Sequence, residues 1–279
     1  MRIGFTSDLH GRASHFEQLD AWIAAARLDL LILGGDMNPD GDPADPLGTQ
    51  SRFVRTEFRD RLRRWLDRAP GLAVATIVGN HDWSCTRDAL AELEQARLLT
   101  LLEPQRTWNH RGLNFVGYSC SPPTPFWLKD FERLDVAGDR AIDGEALVWD
   151  PAASAPRRVE PADYFRTRST MRDELQQVVT PPAPWIFVCH CPPFDTGLDR
   201  LPQVEFPIGS RAVREFILQR RPALALHGHA HESPEMTARY HETLDGVLCV
   251  NPGQGEQRLH AVAFESESPA ATLRHSVFA

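Results

Sequence analysis

Arg2-Ile3-Gly4-Phe5-Thr6-Ser7-Asp8-Leu9-His10 begins as a short apolar run and ends on an acid and an imidazole two residues apart. The run from Arg2 to Thr6 has the length and side chains of a buried strand. The same order returns twice: Asp29 to Leu33 runs into Gly34-Gly35-Asp36-Met37-Asn38, and Leu72 to Val78 into Gly79-Asn80-His81-Asp82. Between these runs apolar residues recur at helical spacing, first Phe16, Leu19, Ile23 and Ala26, then Val54, Phe58, Leu62, Trp65 and Leu66. Strands alternating with helices predict an α/β layered fold.

Outward from this core, the pattern predicts a helix near Arg87 to Arg97 and strands at Leu98 to Leu102 and Asn114 to Tyr118. From Ser119 to Pro184 the periodicity fades and prolines collect, with only Tyr164 to Val179 reading as helical. A segment this long is a lid, a binding loop or a partly disordered insertion. Phe126, Trp127 and Trp149 within it read as packing it onto the body rather than capping a base. Regular structure is expected again at Trp185 to Cys189, a helix around Arg211 to Arg220, and a strand at Ala223 to His227. Short strands follow near Glu235 to His241, Val247 to Val250, Leu259 to Phe264 and Ala271 to His275. The expectation is one domain over residues 1–279, with 119–184 as a Pro-rich insertion or cap.

A chain of 279 residues buries enough surface to need no disulfide or structural zinc. Its five cysteines, Cys85, Cys120, Cys189, Cys191 and Cys249, are odd in number and irregular in spacing, which argues for a reducing compartment. Lys plus Arg is 30 against 38 Asp plus Glu, a net charge of -8 with no basic run, which argues against a long nucleic acid as partner while leaving a small nucleotide open. No apolar stretch reaches the ~18 residues that cross a bilayer, and the first residues read as a strand rather than a leader. A cytoplasmic protein with no membrane partner is expected, and assembly into homo-oligomers is compatible with the sequence.

Chemistry collects where the strands end. Asp8-Leu9-His10, Gly35-Asp36, Gly79-Asn80-His81-Asp82, His190 and Gly228-His229-Ala230-His231 each follow a predicted strand, the rim where open α/β sheets bind ligands. In extended chain, Asp8 and His10 share a side, as do His229 and His231. The inventory of Asp8, His10, Asp36, Asn80, His190, His229 and His231 exceeds one ion's needs. Two divalent ions about 3.5–4 Å apart, bridged by Asp36, would fit. Oxygen and imidazole donors without thiolate favour manganese, iron or zinc over calcium, and of these manganese is the expected ion. A lone Asp-x-His is worthless as evidence, arising by chance about once in such a chain, but the ordered set after strands is not.

This ordered set resembles the calcineurin-like metallophosphoesterase superfamily, whose pattern runs Asp-x-His, Gly-Asp, Gly-Asn-His-Asp or Glu, a later His, and Gly-His-x-His. Asn251-Pro252-Gly253 looks like the turn found near the end of many members. The resemblance covers about Arg2 to Tyr118 and Trp185 to Phe278. It implies a four-layer α/β/β/α sandwich of two mixed sheets flanked by helices. It implies a first metal held by Asp8, His10, Asp36 and His231, and a second by Asp36, Asn80, His190 and His229. His81 matches the histidine that donates to a phosphate oxygen or the leaving group, and Asp82 is expected to orient an imidazole. The implied reaction is phosphoester hydrolysis by a metal-bridging hydroxide attacking phosphorus, with His81 assisting the leaving group.

Asp36 is followed by Met37-Asn38-Pro39-Asp40, where the protein Ser/Thr phosphatases of the superfamily carry Asp-Arg-Gly, which argues against phosphoprotein substrates. Retention of His81 resembles members that cleave phosphodiesters, so the expected substrate is a small nucleotide-like diester. A phosphomonoesterase or nucleotide pyrophosphohydrolase, a metal-dependent nuclease and a non-catalytic interaction scaffold are the alternatives. Arg12 is a candidate contact to a substrate phosphate, against a solvated arginine at a helix start. His227 reads as a packed histidine beside the ligands, and Cys189 and Cys191 as small buried hydrophobes.

Overall fold

The computed structural model of the chain describes residues 1–278. Its strands are β1 (Arg2–Thr6), β2 (Leu30–Gly34), β3 (Ala73–Ile77), β4 (Thr100–Leu101), β5 (Trp108–His110), β6 (Leu113–Tyr118), β7 (Leu147–Asp150) and β8 (Ala155–Arg158). They continue as β9 (Trp185–Cys189), β10 (Leu224–Leu226), β11 (His241–Leu244), β12 (Val247–Val250), β13 (Val262–Glu265) and β14 (Arg274–His275). One six-stranded sheet has the order β14-β13-β1-β2-β3-β4, and a second the order β11-β12-β10-β9-β6-β5. In the first, β1 to β4 run parallel and β13 and β14 antiparallel. In the second, β6, β9, β10 and β12 run parallel between antiparallel edges β5 and β11.

Strand alternation explains the layers. Ile3 and Phe5, Leu30 and Ile32, Ala75 and Ile77 meet Phe115, Ile186, Val188, Leu226 and Val250 of the other sheet in one apolar cluster. Their neighbours Leu31, Leu33 and Val74, and Val116, Phe187 and Ala225 of the second sheet, turn outward onto helices. Helix Ala13–Ala26 supplies Phe16, Leu19 and Ile23 to that outer packing, Arg59–Arg68 supplies Leu62 and Trp65, and Arg211–Arg220 supplies Phe216 and Ile217. Helix, sheet, sheet, helix is the four-layer sandwich, with both sheets mixed.

The differences from expectation have local causes. The strand expected near Glu235 to His241 is a helical turn, Ser233–Thr237, with Pro234 in its first turn, and β11 starts only at His241. The helix expected over Tyr164 to Val179 is two, Pro161–Arg166 and Met171–Gln176. Thr170 starts the second with a capping box to Asp173. Of Ala271 to His275 only Arg274–His275 is strand, because Pro269 opens a helical turn through Thr272. The apolar stripe from Val54 begins as π-helical turns, Leu47–Ser51 and Val54–Phe58, before the α-helix at Arg59.

Residues 119–184 are folded onto the body. The β7–β8 hairpin within them has no counterpart in the periodicity of the sequence, and Trp83, Leu128 and Leu147 form a small core with Phe126, Trp127 and Trp149 against it. Asp135 accepts from Ser210 Oγ at 2.5 Å and from the Arg211 and Ala212 amides at 2.8 and 3.2 Å, so the insertion caps the helix Arg211–Arg220.

Candidate active site

The carboxyl ends of β1, β2, β3, β9 and β10 lie along one rim, and the loops that leave them are tied together. The Asp8 amide donates to Gly35 O at 3.0 Å, His10 to Asp36 O at 2.9 Å, and Gly228 to His190 O at 2.9 Å. Asp8, His10, Asp36 and His229 have φ of 60°, 47°, 52° and 67°, the left-handed region that non-glycine residues rarely adopt. Strand alternation therefore does not aim these side chains. Each is turned inward by a tight backbone bend, which corrects the period-two argument while leaving the residues together. Strained backbone of this kind concentrates at functional sites.

One ligand atom from each of Asp8, His10, Asp36 and His231 lies within 4.8 Å of the others. His10 Nε2 is 3.3 Å from His231 Nε2, and His231 Nε2 is 3.3 Å from Asp8 Oδ1. A second group adjoins it. Asn80 Oδ1 lies 2.9 Å from His229 Nδ1 and 3.0 Å from His190 Nε2, which is itself 3.3 Å from Asp36 Oδ2. Asp36 belongs to both groups. His190 Nδ1 donates to Gly34 O at 2.9 Å, fixing the tautomer that turns Nε2 into the site, as metal-ligating histidines do.

The donor set fits divalent cations. Asp8 and Asp36 are buried, yet among the described residues no lysine or arginine pairs with them; only imidazoles do. Buried carboxylates require compensating charge. Asp36 Oδ2, Asn80 Nδ2 and His10 Nδ1 are buried without a hydrogen-bond partner. Two glycines make room: a Cβ on Gly79 would press into Asp36 Oδ1 and stand 2.6 Å from His190 Cε1, and one on Gly228 would stand 2.5 Å from Asp8 Oδ2.

The electrostatics reflect the same hunger for cations. Burial opposes the charged form of His190, but Asp36 and Asp8 outweigh it and raise the imidazole to about 9. Burial would also raise Asp8 and Asp36, yet the facing histidines hold Asp8 down to about 2 and Asp36 well below its ordinary range. Burial and the neighbouring His190 push His229 down to about 3, leaving it neutral and a lone-pair donor.

His81 and Asp82 take different places. Among the described residues Asp82 bonds to no imidazole, contrary to expectation. Its carboxylate accepts from the amides of Asp36 at 3.0 Å, Gly79 at 2.9 Å and Asn38 at 3.3 Å, and from Asn38 Nδ2 at 2.6 Å, pinning two loops to each other. Burial, then the Asp36 charge, lift it to about 6. The partner of His81 is Asp40, whose Oδ1 lies 3.0 Å from Nδ1, and burial of the ring is outweighed by Asp36 and Asp40, so its pKa is raised. Phe126 of the insertion stacks on the imidazole with centroids 3.6 Å apart and planes at 7°. Buried Gln50 donates to the carbonyls of Pro39 at 2.9 Å and His81 at 2.8 Å and accepts from the Trp83 amide at 2.8 Å. Sequence reading missed Asp40 and Gln50, and it read Phe126 as packing the insertion down without naming His81 as the ring it covers; only the unusual Asn38-Pro39-Asp40 turn after Gly-Asp offered a signal.

Arg12 stands exposed ahead of helix Ala13–Ala26 and makes no side-chain hydrogen bond or ion pair with the cluster. His227 is buried, its Nδ1 2.9 Å from Cys191 O and 3.1 Å from Cys189 O, and burial lowers it to about 4. All five cysteines are free and buried.

A family model described as calcineurin-like phosphoesterase matches residues 1–233. Among solved structures, one is similar with a TM-score of 0.61 and 15% identity over 100% of this chain and 99% of its own. Another, TT1561 of Thermus thermophilus, has a TM-score of 0.58 and 17% identity over 99% of this chain and 97% of its own. At such identities the likeness shows the fold. No curated protein matches the sequence. Among the described residues no helix is long and apolar enough to cross a membrane.

Proposed function

The chain belongs to the calcineurin-like phosphoesterases, which makes it a metal-dependent phosphoester hydrolase, and from that premise we propose that it cleaves small phosphodiesters with two divalent ions. The observation that carries the reading is the pair of adjoining donor groups sharing Asp36. Asp8, His10, Asp36 and His231 would hold one ion and Asp36, Asn80, His190 and His229 the other, with manganese the expected metal. When bound, such ions acidify water and neutralise phosphate oxygens.

The chain's own residues do the rest. Asp36 accepts from the His81 amide through Oδ1 at 2.8 Å, so Oδ2, which lies 3.3 Å from His190 Nε2, would be the oxygen offered to a metal, and the His81 backbone is tied to this ligand. Asp40 accepts the hydrogen bond from Nδ1 of His81, and because Asp36 and Asp40 together favour the imidazolium, Nε2 then carries a second proton, the one offered to the leaving oxygen. Phe126 holds the ring's plane. Asp82 keeps the Asp36 and Gly79 loops in register without touching substrate. Residues 119–184 act as the cap of a single domain, and Arg12 is the remaining candidate contact to an outer phosphate oxygen.

Diester preference is supported by charge. Among the described residues that line the cavity opening on His229, Arg211 is the one lysine or arginine, and it is tied to Asp139 at 2.5 Å and Asp135 at 3.3 Å. A dianionic monoester would find no free cation there, whereas a monoanionic diester needs none beyond the metals. The test is metal content together with bis(p-nitrophenyl) phosphate against p-nitrophenyl phosphate after manganese loading. Two ions per chain, faster diester turnover and a loss of about 10²–10⁴-fold in His81→Ala are expected. A faster monoester, or a single ion, overturns it.

A further inference from the structure

The cavity beside His229 has a volume of about 450 Å³ and walls from two segments, Pro122 and Pro125 of the insertion and Phe194, Leu201, Phe206 and Ile208 opposite. Two of the large hydrophobic side chains exposed among the described residues, Ile142 at 39% and Phe206 at 68%, also line it. Apolar side chains left in water around a concavity next to a reactive centre mark a ligand surface.

Among the described residues, the charged and hydroxyl side chains of the lining already have partners within the protein. Asp135 accepts from Ser210 Oγ and the Arg211 and Ala212 amides. Arg211 is bound to Asp139 and Asp135, and Thr124 Oγ1 lies 2.5 Å from Glu132 Oε1. A nucleobase held here would find few uncommitted side-chain groups to replace its water contacts, a cost that a hydrocarbon does not meet. A second phosphate would face two aspartates against one arginine.

We propose that this cavity receives the non-reacting organic group of the substrate, and that this group is an uncharged alkyl or aryl alcohol rather than a nucleobase or a further phosphate. The proposal rests on the diesterase reading above and replaces the nucleotide-like diester expected from sequence. His229 forms the point where cavity and metal centre meet, so an esterified alcohol can lie along the apolar walls while its phosphate stays on the ions.

The experiment is a series of p-nitrophenyl alkyl phosphates from methyl to hexyl, with phenyl and thymidine-5′ esters alongside, on the manganese-loaded full chain. Each methylene buried should raise kcat/KM about threefold, so burial of three of the five methylenes added from methyl to hexyl gives roughly thirtyfold and burial of all five roughly 240-fold. Phe206→Asp, at an exposed position, should cut the hexyl-to-methyl ratio by about tenfold. Calorimetry with methyl hexyl phosphate and methyl ethyl phosphate gives a readout independent of turnover, and the hexyl ester should bind more tightly. Methyl ester turnover with no chain-length dependence, or a thymidine ester favoured tenfold over hexyl, overturns the cavity assignment and leaves the diesterase reading standing. No turnover of any diester, with the hexyl ester still bound more tightly, overturns the diesterase reading instead and supports the apolar preference of the cavity.

Discussion

Replacing Lys129 by methionine tests how the insertion holds the catalytic edge of the site. Lys129 is 2% exposed and Glu132 is fully buried, and the ammonium lies 2.8 Å from Glu132 Oε2 and 2.8 Å from Thr124 O, with a further bond to Phe126 O. Breaking a buried pair ordinarily costs about 3–5 kcal/mol because a charge is stranded. Here the stranding is mild: burial lifts Glu132 to about 7 even against the Lys129 charge, so without the lysine it takes a proton at neutral pH. What remains is two carbonyls left without donors, at about 1–2 kcal/mol each, so the expected loss at pH 7 is about 2–4 kcal/mol. The sign with pH is distinctive. A carboxyl whose folded pKa is raised loses stability as pH climbs from its unfolded value toward the folded one. The wild type completes that loss near 7, whereas Lys129→Met continues it, widening the gap by up to about 1.4 kcal/mol per unit above 7. Urea denaturation followed by circular dichroism at pH 6, 7 and 8.5 reads this, with hydrogen exchange over residues 122–134 as the local probe. A gap under about 1 kcal/mol at pH 7, or one that stays flat to pH 8.5, refutes the reasoning.

Other perturbations have sharp outcomes. Asp40→Asn removes the carboxylate that orients His81 at 3.0 Å, and kcat on a diester should fall about 10- to 100-fold with metal content unchanged; parallel loss of bound metal would disprove a positioning role. Gly79→Ala drives a methyl into Asp36 Oδ1 and His190, so calorimetry should show manganese affinity down by about tenfold or more, and wild-type affinity would contradict the packing. His275 has Nε2 2.9 Å from Pro252 O and Nδ1 accepting from the Val277 and Phe278 amides at 3.0 and 3.1 Å, and burial lowers it to about 4. Being depressed, it withholds a proton that the unfolded chain takes up, so about 2–3 kcal/mol present above pH 6.5 should drain away toward pH 4. Melting curves of His275→Gln should show a shallower acid slope than wild type, and identical slopes would exclude this residue as the source.

Burial on both faces writes continuous apolar runs, and that is why Arg2–Thr6 and Trp185–Cys189 were legible to the residue, and the polar clusters after them as the rim. Short elements governed by a single proline, such as Ser233–Thr237, were not, because one turn carries no periodicity. Within the site, residue types and order could be read, while the bends that aim them could not: Asp8, His10 and Asp36 turn left-handed without any glycine at those positions to announce it. The supporting groups were hidden for another reason. Asp40, Gln50 and Phe126 act through partners 41, 31 and 45 positions away in the chain, contacts that exist only after folding. Asp82 was visible but assigned the wrong partner, because proximity in sequence to His81 does not tell which way a carboxylate faces.

Asp135 gives the Pro-rich excursion a second allegiance. By terminating the helix Arg211–Arg220 while its own prolines wall the cavity, the excursion is spliced into the scaffold rather than hung upon it. Exchanging it for the corresponding stretch of another protein would therefore strip the Arg211 and Ala212 amides of their acceptor, leaving Ser210 alone to cap the first turn, unless an equivalent acid came along. Any attempt to retune selectivity by grafting must transplant wall and helix end as one piece.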